Sequence, residues 1–435
     1  MSIATVKLWG SVIGNVSWDE DHGCAFFEYQ PRFLESAIEV APLMMPLSKQ
    51  IYSFPALARQ TFHGLPGLLA DSLPDKFGNA LINAWLAQRG RTENSMNSVE
   101  RLCYIGSRGM GALEFVPAIG LKAQKSKSLD VDELVQLASE ILTRREKFKV
   151  SLRDKHKAEV LRDILRVGTS AGGARAKAVI AWNPHTHDVR SGQIDAGLGF
   201  SYWLMKFDGV SANKDEELED SRGYGLIEYA YYKMALMAGI YMSECRLLEE
   251  NGRHHFMAKR FDRTDNGDKL HMQSLCAIAH YDFNQPGAYS YEQAFQVMKN
   301  LQLPMVSIEE QFRRMVFNIV ARNQDDHVKN IAFLMDRTGT WSLSPAFDMM
   351  YAYSPSGLWT GKHQMSMNGK RDNFTVADFE ACARTASMKR GRAKEIIEQV
   401  QSAVSKWRSV AREVGISSDR IKQIAKTHRF FRRGR

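Results

Sequence analysis

Apolar and polar residues alternate through the first 35 positions or so. Thr5-Val6-Lys7-Leu8-Trp9-Gly10, residues 13–18 and residues 24–29 each read as a short strand, with Gly and Asp between them. A small antiparallel sheet is predicted. From 55 to 91 the period lengthens, and Ala80, Leu81, Trp85 and Leu86 recur as one face of a helix would. Residues 121–166 are rich in Lys, Arg and Glu, with helical blocks at 131–142 and 158–165; they are expected to form a solvated helical connector. Strands are predicted again at 178–182, 202–207 and 254–263, and a helix over 224–239 that ends at Gly239. Adjacent His254 and His255 would point to opposite faces of their strand, which argues against a joint metal site. The rest is mostly helical, and the stripe Ile396, Ile397, Val400, Val404 and Trp407 is expected in the core.

One stretch breaks the pattern. After the apolar run 312–320 comes Asn323-Gln324-Asp325-Asp326-His327-Val328-Lys329-Asn330, and the strand-like run 331–335 follows at once. Such a dense polar octad is costly between apolar segments unless its groups are paired or bound. Asp325 and Asn330 stand in the D-x-x-x-x-N spacing of a kinase catalytic loop. There the Asp accepts the proton of a substrate hydroxyl, the Asn holds Mg²⁺, and a later Asp grips the metal again. Asp348 is placed to be that later Asp. Lys329 could steady transferring phosphate; His327 either orients Asp325 or is a packed, hydrogen-bonded histidine.

Other parts of a phosphoryl-transfer site lie upstream. In Gly168-Thr169-Ser170-Ala171-Gly172-Gly173-Ala174-Arg175-Ala176-Lys177, small residues allow backbone N–H groups to approach phosphate, with Lys177 beyond to neutralise charge. It is not a Walker A motif, and a hairpin turn explains it equally well. The glycines at 106–111 read as a structural turn. Lys206 shares a strand face with Tyr202 and Leu204; it either meets ATP phosphates or is a surface Lys with its stem along apolar neighbours. Glu228 is expected at the surface, with a pair to Lys206 as the alternative.

Length and composition narrow the setting. A chain of 435 residues suggests two or three domains or lobes. The expected divisions are 1–120, a small β/α subdomain; 121–166, the connector; 167–258, the nucleotide-binding part; and 259–435, a mainly helical catalytic lobe. A net charge of +9 points to an anionic partner such as nucleotide, nucleic acid or an acidic protein surface. Cys24, Cys103, Cys245, Cys276 and Cys382 are scattered and never spaced C-x-x-C, so neither a disulfide framework nor a zinc site is indicated. A reducing cytoplasm is expected, and no membrane association. The basic, aromatic tail at 426–435 reads as a solubilising terminus.

The octad with Phe347-Asp348, the loop Ser170 to Lys177, Lys259-Arg260-Phe261-Asp262-Arg263, and His363-Gln364-Met365-Ser366-Met367-Asn368-Gly369-Lys370 together resemble the HipA family. These are bacterial serine/threonine kinases, the toxins of type II toxin–antitoxin pairs. Residues 10–29, Leu73-Pro74-Asp75 and 105–113 are similar to the family's N-terminal module. The resemblance implies an α+β, two-lobed protein-kinase-like fold related to phosphoinositide kinases, with an added β/α subdomain and a helical C-terminal lobe. It implies that Asp325 is catalytic and that Asn330 and Asp348 hold Mg²⁺. ATP would be bound by Gly172, Gly173, Ala174, Lys177, Lys206, His327, Lys329 and Phe347, with Lys259, Arg260 and Phe261 as the hinge against adenine. Ser170 falls at the family's autophosphorylated serine, where modification ejects the loop and switches the kinase off; the loop here is one residue longer than in the best-known members. The partners implied are a protein substrate such as an aminoacyl-tRNA synthetase and a small helix-turn-helix antitoxin, with DNA bound only through that complex. The alternatives are a non-catalytic corepressor on operator DNA, and a small-molecule kinase with the same site.

Overall fold

The computed structural model describes residues 2–120, 127–143, 155–168, 175–194, 196–210, 214–215, 218–219, 223–264 and 267–431. The chain opens with an antiparallel sheet of four strands, β1 (Ile3–Leu8), β2 (Ser11–Asp19), β3 (Cys24–Tyr29) and β4 (Leu113–Val116), ordered β3-β2-β1-β4. Alternation causes it: Ala4, Val6 and Leu8 are buried on one face of β1 while Ile3, Thr5 and Lys7 are less so. The first three strands lie where the pattern predicts them. The fourth returns from far along the chain, led by helix Ser98–Ile105, which Asn97 and Glu100 open with a capping box. The glycines at 106–111 make the turn between that helix and β4, as expected. At its end Gly111, with φ of +74°, donates its N–H to Asp262 Oδ2 at 2.7 Å and so ties the module to the turn that follows the strand Arg253–Lys259.

A second antiparallel sheet contains β5 (Lys177–Trp182), β6 (Val189–Ser191) and β7 (Ser201–Lys206). After a two-stranded ribbon, β8 (Lys214–Asp215) with β9 (Leu218–Glu219), it is completed by β10 (Cys245–Glu250) and β11 (Arg253–Lys259), giving the order β10-β11-β7-β5-β6. Helices Lys76–Gln88, Val131–Thr143 and Lys155–Gly168 share a core with it, with Phe77, Leu81, Leu134, Ala138, Ile141, Leu161 and Ile164 buried against Ala178, Ile180 and Met205. This corrects the expected solvated connector. The helices are where the sequence puts them, but their 3.6-residue apolar stripe, not the charge of the segment, decides their burial. The charged stretches 121–126 and 144–154 lie outside the described residues.

Helix Tyr224–Met237 follows and is bounded by Gly239, with φ of +75°. The remaining lobe holds a three-stranded antiparallel sheet, β12 (His271–Ser274), β13 (Ala332–Met335) and β14 (Trp341–Leu343), among helices. Helix Met305–Ala321 is the most buried of the long ones, and Ile396, Ile397, Val400, Val404 and Trp407 are core residues as expected. Val6, Phe27, Leu69, Leu275, Phe317, Phe379 and Trp407 belong to one continuous core, so the N-terminal module and the helical lobe form one body. The two cores flank a cleft. All five cysteines are buried and unbridged. Among the described residues, no helix is long and apolar enough to cross a membrane.

Candidate active site

The strand register sets the floor of the cleft. Lys206, the last residue of β7, lies opposite Lys177 on β5 and Phe256 on β11. Two ammonium groups on neighbouring strands repel unless each meets an anion. Lys206 Nζ lies 2.5 Å from Glu228 Oε1 on helix Tyr224–Met237 and 2.5 Å from Asp348 Oδ1. Glu228 is therefore not the surface residue that its sequence position suggests: it is 3% exposed and paired with Lys206. Lys177 meets Asp75, with Nζ 3.3 Å from Oδ2, both side chains buried.

Asp348 reaches Lys206 from a left-handed backbone, φ of +53°, a conformation Asp tolerates better than most residues. Burial alone would raise its carboxyl, but the Lys206 and Lys177 charges hold it down to about 2. Conversely, burial would lower the Lys206 ammonium, and Asp348 and Glu228 raise it above the usual lysine range. Both groups are ionised at neutral pH.

The octad is delivered by helix Met305–Ala321, which ends at Arg322 in the left-handed region. Its members divide into two sets. Asp326 faces the core, 2% exposed, where its Oδ2 accepts the Tyr291 hydroxyl at 2.6 Å and lies 2.8 Å from His363 Nδ1, and its Oδ1 accepts the Gln364 N–H at 2.8 Å. Burial opposes that charge, yet His363 and these hydrogen bonds keep the carboxyl below its ordinary value. Asn323 is also structural: its amide donates to Asn318 Oδ1 at 3.0 Å and to the Asp348 carbonyl at 3.1 Å. Asp325, His327, Lys329 and Asn330 line the cleft.

Asp325 Oδ1 accepts the Trp359 indole N–H at 2.7 Å, and its carbonyl accepts the Asn330 side-chain N–H at 2.9 Å. That second bond spends the Asn330 nitrogen and leaves the amide oxygen as the atom suited to a cation. His327 Nε2 is 3.8 Å from Asp325 Oδ1, beyond hydrogen-bond reach, and its ring packs 5.4 Å from that of Phe283. His327 is thus packed, but not as a hydrogen-bonded histidine, since its Nδ1 makes no hydrogen bond; its imidazole stands within ion-pair distance of Asp325, and the indole makes the hydrogen bond. Lys329 Nζ sits 5.1 Å over the Phe283 ring.

On the opposite wall the rings of Phe261 and Phe347 lie 5.6 Å apart. Lys259 lines the same wall, but the N–H groups of Lys259 and Arg260 are already given to the carbonyls of Glu244 and Tyr202. The Arg260 guanidinium is turned into a buried fork on Asp262, at 2.9 and 2.6 Å, and is 5% exposed. Its side chain acts through Asp262 on the Gly111 junction.

One cavity of about 1010 Å³ brings together Lys177, Lys206, Lys259, Arg260, Phe261, Asp325, His327, Lys329, Asn330, Phe347 and Asp348. Ser170, Gly172, Gly173 and Ala174 lie outside the described residues. Two carboxylates and an amide are hard oxygen donors, which suit Mg²⁺ better than a soft metal. Among the described residues, no group of three or more His, Cys, Asp or Glu side chains is placed to hold a metal without other ligands. Trp359 also stands at the site, though no local signal marks it, and so does Asp75, which in the sequence belongs only to the Leu73-Pro74-Asp75 likeness and whose context signals a helix start.

The model of the HipA-like C-terminal domain matches residues 169–407, and that of the HipA N-terminal domain matches residues 4–116. A Sinorhizobium fredii protein named "Putative kinase Y4mE" is 21% identical, over 98% of this chain and 97% of its own. HipA of Shewanella oneidensis MR-1, solved with HipB and its operator DNA, superposes with a TM-score of 0.68 at 16% identity, over 97% of this chain and 94% of its own. The fold is that two-lobed, kinase-like one.

Proposed function

The chain belongs to the HipA family, and from that premise we propose that it is an ATP- and Mg²⁺-dependent protein serine/threonine kinase, acting as a growth-arresting toxin on a component of translation. The observation that carries this reading is the clasp of Lys206 by Glu228 and Asp348 in the cavity that Asp325 and Asn330 also line. Phosphoryl transfer needs positioned phosphates, a metal and a carboxylate for the acceptor hydroxyl, and each has a candidate there.

Asp325 accepts the hydrogen bond of an acceptor Ser or Thr hydroxyl and takes its proton as the phosphoryl group is transferred. Trp359 fixes which carboxylate oxygen is presented. Lys206 neutralises phosphate charge, and Glu228 shares its ammonium with Asp348, so that the ammonium does not depend on Asp348 alone. Asp348 and Asn330 would hold Mg²⁺, which would supply positive charge to offset that building on the phosphates during transfer. Lys329 lies where a cation can meet the transferred group, and the Phe261 and Phe347 rings offer apolar surface to a base.

Ser170 is proposed as the self-inhibitory phosphorylation site. A dianion beside Gly172 would compete with ATP phosphate for the same N–H donors. A small helix-turn-helix antitoxin is the proposed partner, with DNA bound through that complex in the cytoplasm, and an aminoacyl-tRNA synthetase is the proposed substrate. Incubation with radiolabelled ATP tests the enzyme: wild type is expected to label itself or an acceptor protein, and Asp325→Ala to do neither. Equal labelling of the two, or none in either, would remove the kinase and leave the corepressor reading.

A further inference from the structure

The N-terminal module contributes charged side chains to the cleft, Asp71, Asp75, Lys76, Arg91 and Glu93 among them, and of these Asp75 is paired with Lys177. Asp75 caps helix Lys76–Gln88, its Oδ1 accepting the Gly78 N–H at 2.6 Å. Its Oδ2 makes no hydrogen bond and lies 3.3 Å from Lys177 Nζ, where both side chains are almost fully buried, 3% and 4% exposed. Lys177 in turn stands directly opposite Lys206, and all three residues line the same cavity. Like charges so placed repel, and the repulsion is offset by carboxylates on each: Glu228 and Asp348 at Lys206, Asp75 at Lys177.

We infer that Asp75 is the internal counterion of Lys177, a positioning residue that holds this ammonium until nucleotide phosphate displaces it. The inference rests on the kinase reading above and adds a part played by the N-terminal module. An anion beside the phosphate site opposes an anionic ligand, so Asp75 weakens nucleotide binding and hastens product release. The carboxylate is held at a cost: burial pushes it up to about 6, although Lys177 on β5, the Gly78 N–H and Lys329 of the octad all favour its charge. Below that pH it becomes neutral, and the opposition disappears.

Asp75→Asn separates the charge from the cap, because Asn accepts the same helix N–H equally well; Asp75→Ser serves if the Asn variant does not fold. Calorimetric titration of the full-length protein with MgADP should show the Asn variant binding about tenfold tighter, the scale of one unit charge across a partly solvated cleft. In turnover, KM for ATP and kcat should fall together as product lingers, a pattern that a loosened fold does not give. Adding Lys177→Gln should abolish the gain. The gap between wild type and Asp75→Asn should also narrow below about pH 6, where wild type loses the same charge. Wild-type binding with unchanged or weaker affinity in Asp75→Asn overturns this inference alone, as does a gain that survives Lys177→Gln. Absence of any MgADP binding by wild type overturns it together with the kinase reading.

Discussion

Trp359 donates its indole N–H to Asp325 Oδ1 at 2.7 Å, and by that bond the segment after Asp348 reaches back to the carboxylate proposed to receive the acceptor's proton. The next residue back, Leu358, is 96% exposed, so this contact comes from the rim of the cleft and not from the core.

Replacing Trp359 by Phe keeps a ring beside His327 but removes the donor. Asp325 Oδ1 then loses the indole N–H that orients it. Steady-state assays should show kcat reduced about tenfold, the scale of one lost orienting hydrogen bond, with KM for ATP within about twofold of wild type. A KM change that accounts for the whole loss would place Trp359 at the nucleotide instead.

Glu228→Gln leaves Lys206 with Asp348 as its remaining anionic clasp. The ammonium then competes with the metal for that carboxylate. Titrating activity with MgCl₂ should show the apparent Mg²⁺ requirement raised about tenfold, with much of the rate recovered at saturation. An unchanged requirement would mean that Glu228 does not share Lys206 with Asp348 in the working enzyme.

The adjacent Asp325 and Asp326 should separate stability from chemistry. Asp325→Asn is expected to abolish transfer with a melting temperature close to wild type. Asp326→Ala removes the acceptor of Tyr291, His363 and the Gln364 N–H in a buried site, and should cost about 3 kcal/mol by denaturant titration. Equal stability of the two variants would contradict the division of the octad.

Buried neutral imidazoles make the fold sensitive to acid. Burial lowers His271 and His280 to about 4, and His280 Nε2 accepts the Gly67 N–H at 3.0 Å, which it can do only when that nitrogen is unprotonated. The unfolded chain binds these protons near 6.5 and the folded chain does not, so stability is present above that pH and is lost as pH falls through 4. For His271 alone the difference corresponds to about 3 kcal/mol at full protonation. Urea midpoints measured from pH 7 to 4 should fall steadily; a flat profile would mean that these histidines are already solvated.

Much of the architecture was legible in local pattern. Period-2 alternation gave β1 to β3, and the 3.6-residue stripes gave the helices, because both depend on neighbours a few positions apart. The D-x-x-x-x-N spacing brought Asp325 and Asn330 within one turn of chain, and the Asn330 to Asp325 bond is a local one. Composition misled where charge and periodicity disagreed: the 121–166 segment looks solvated by its Lys and Glu content, but its helices are core by their stripe.

The sequence by itself determined which residues can do this chemistry, since hard oxygen donors, ammonium groups and small loop residues are properties of side chains and spacing. Only the tertiary structure decided which of them meet. Glu228 reads as a surface glutamate until helix Tyr224–Met237 docks on the second sheet and turns it to Lys206; Asp75 has no site role in the sequence until helix Lys76–Gln88 packs on the same sheet and sets it against Lys177. Trp359 carries no signal at all. Their partners lie 22 residues away for Glu228, 34 for Trp359 and 102 for Asp75, and no local periodicity encodes a contact whose two halves are joined only when separate apolar faces are buried together.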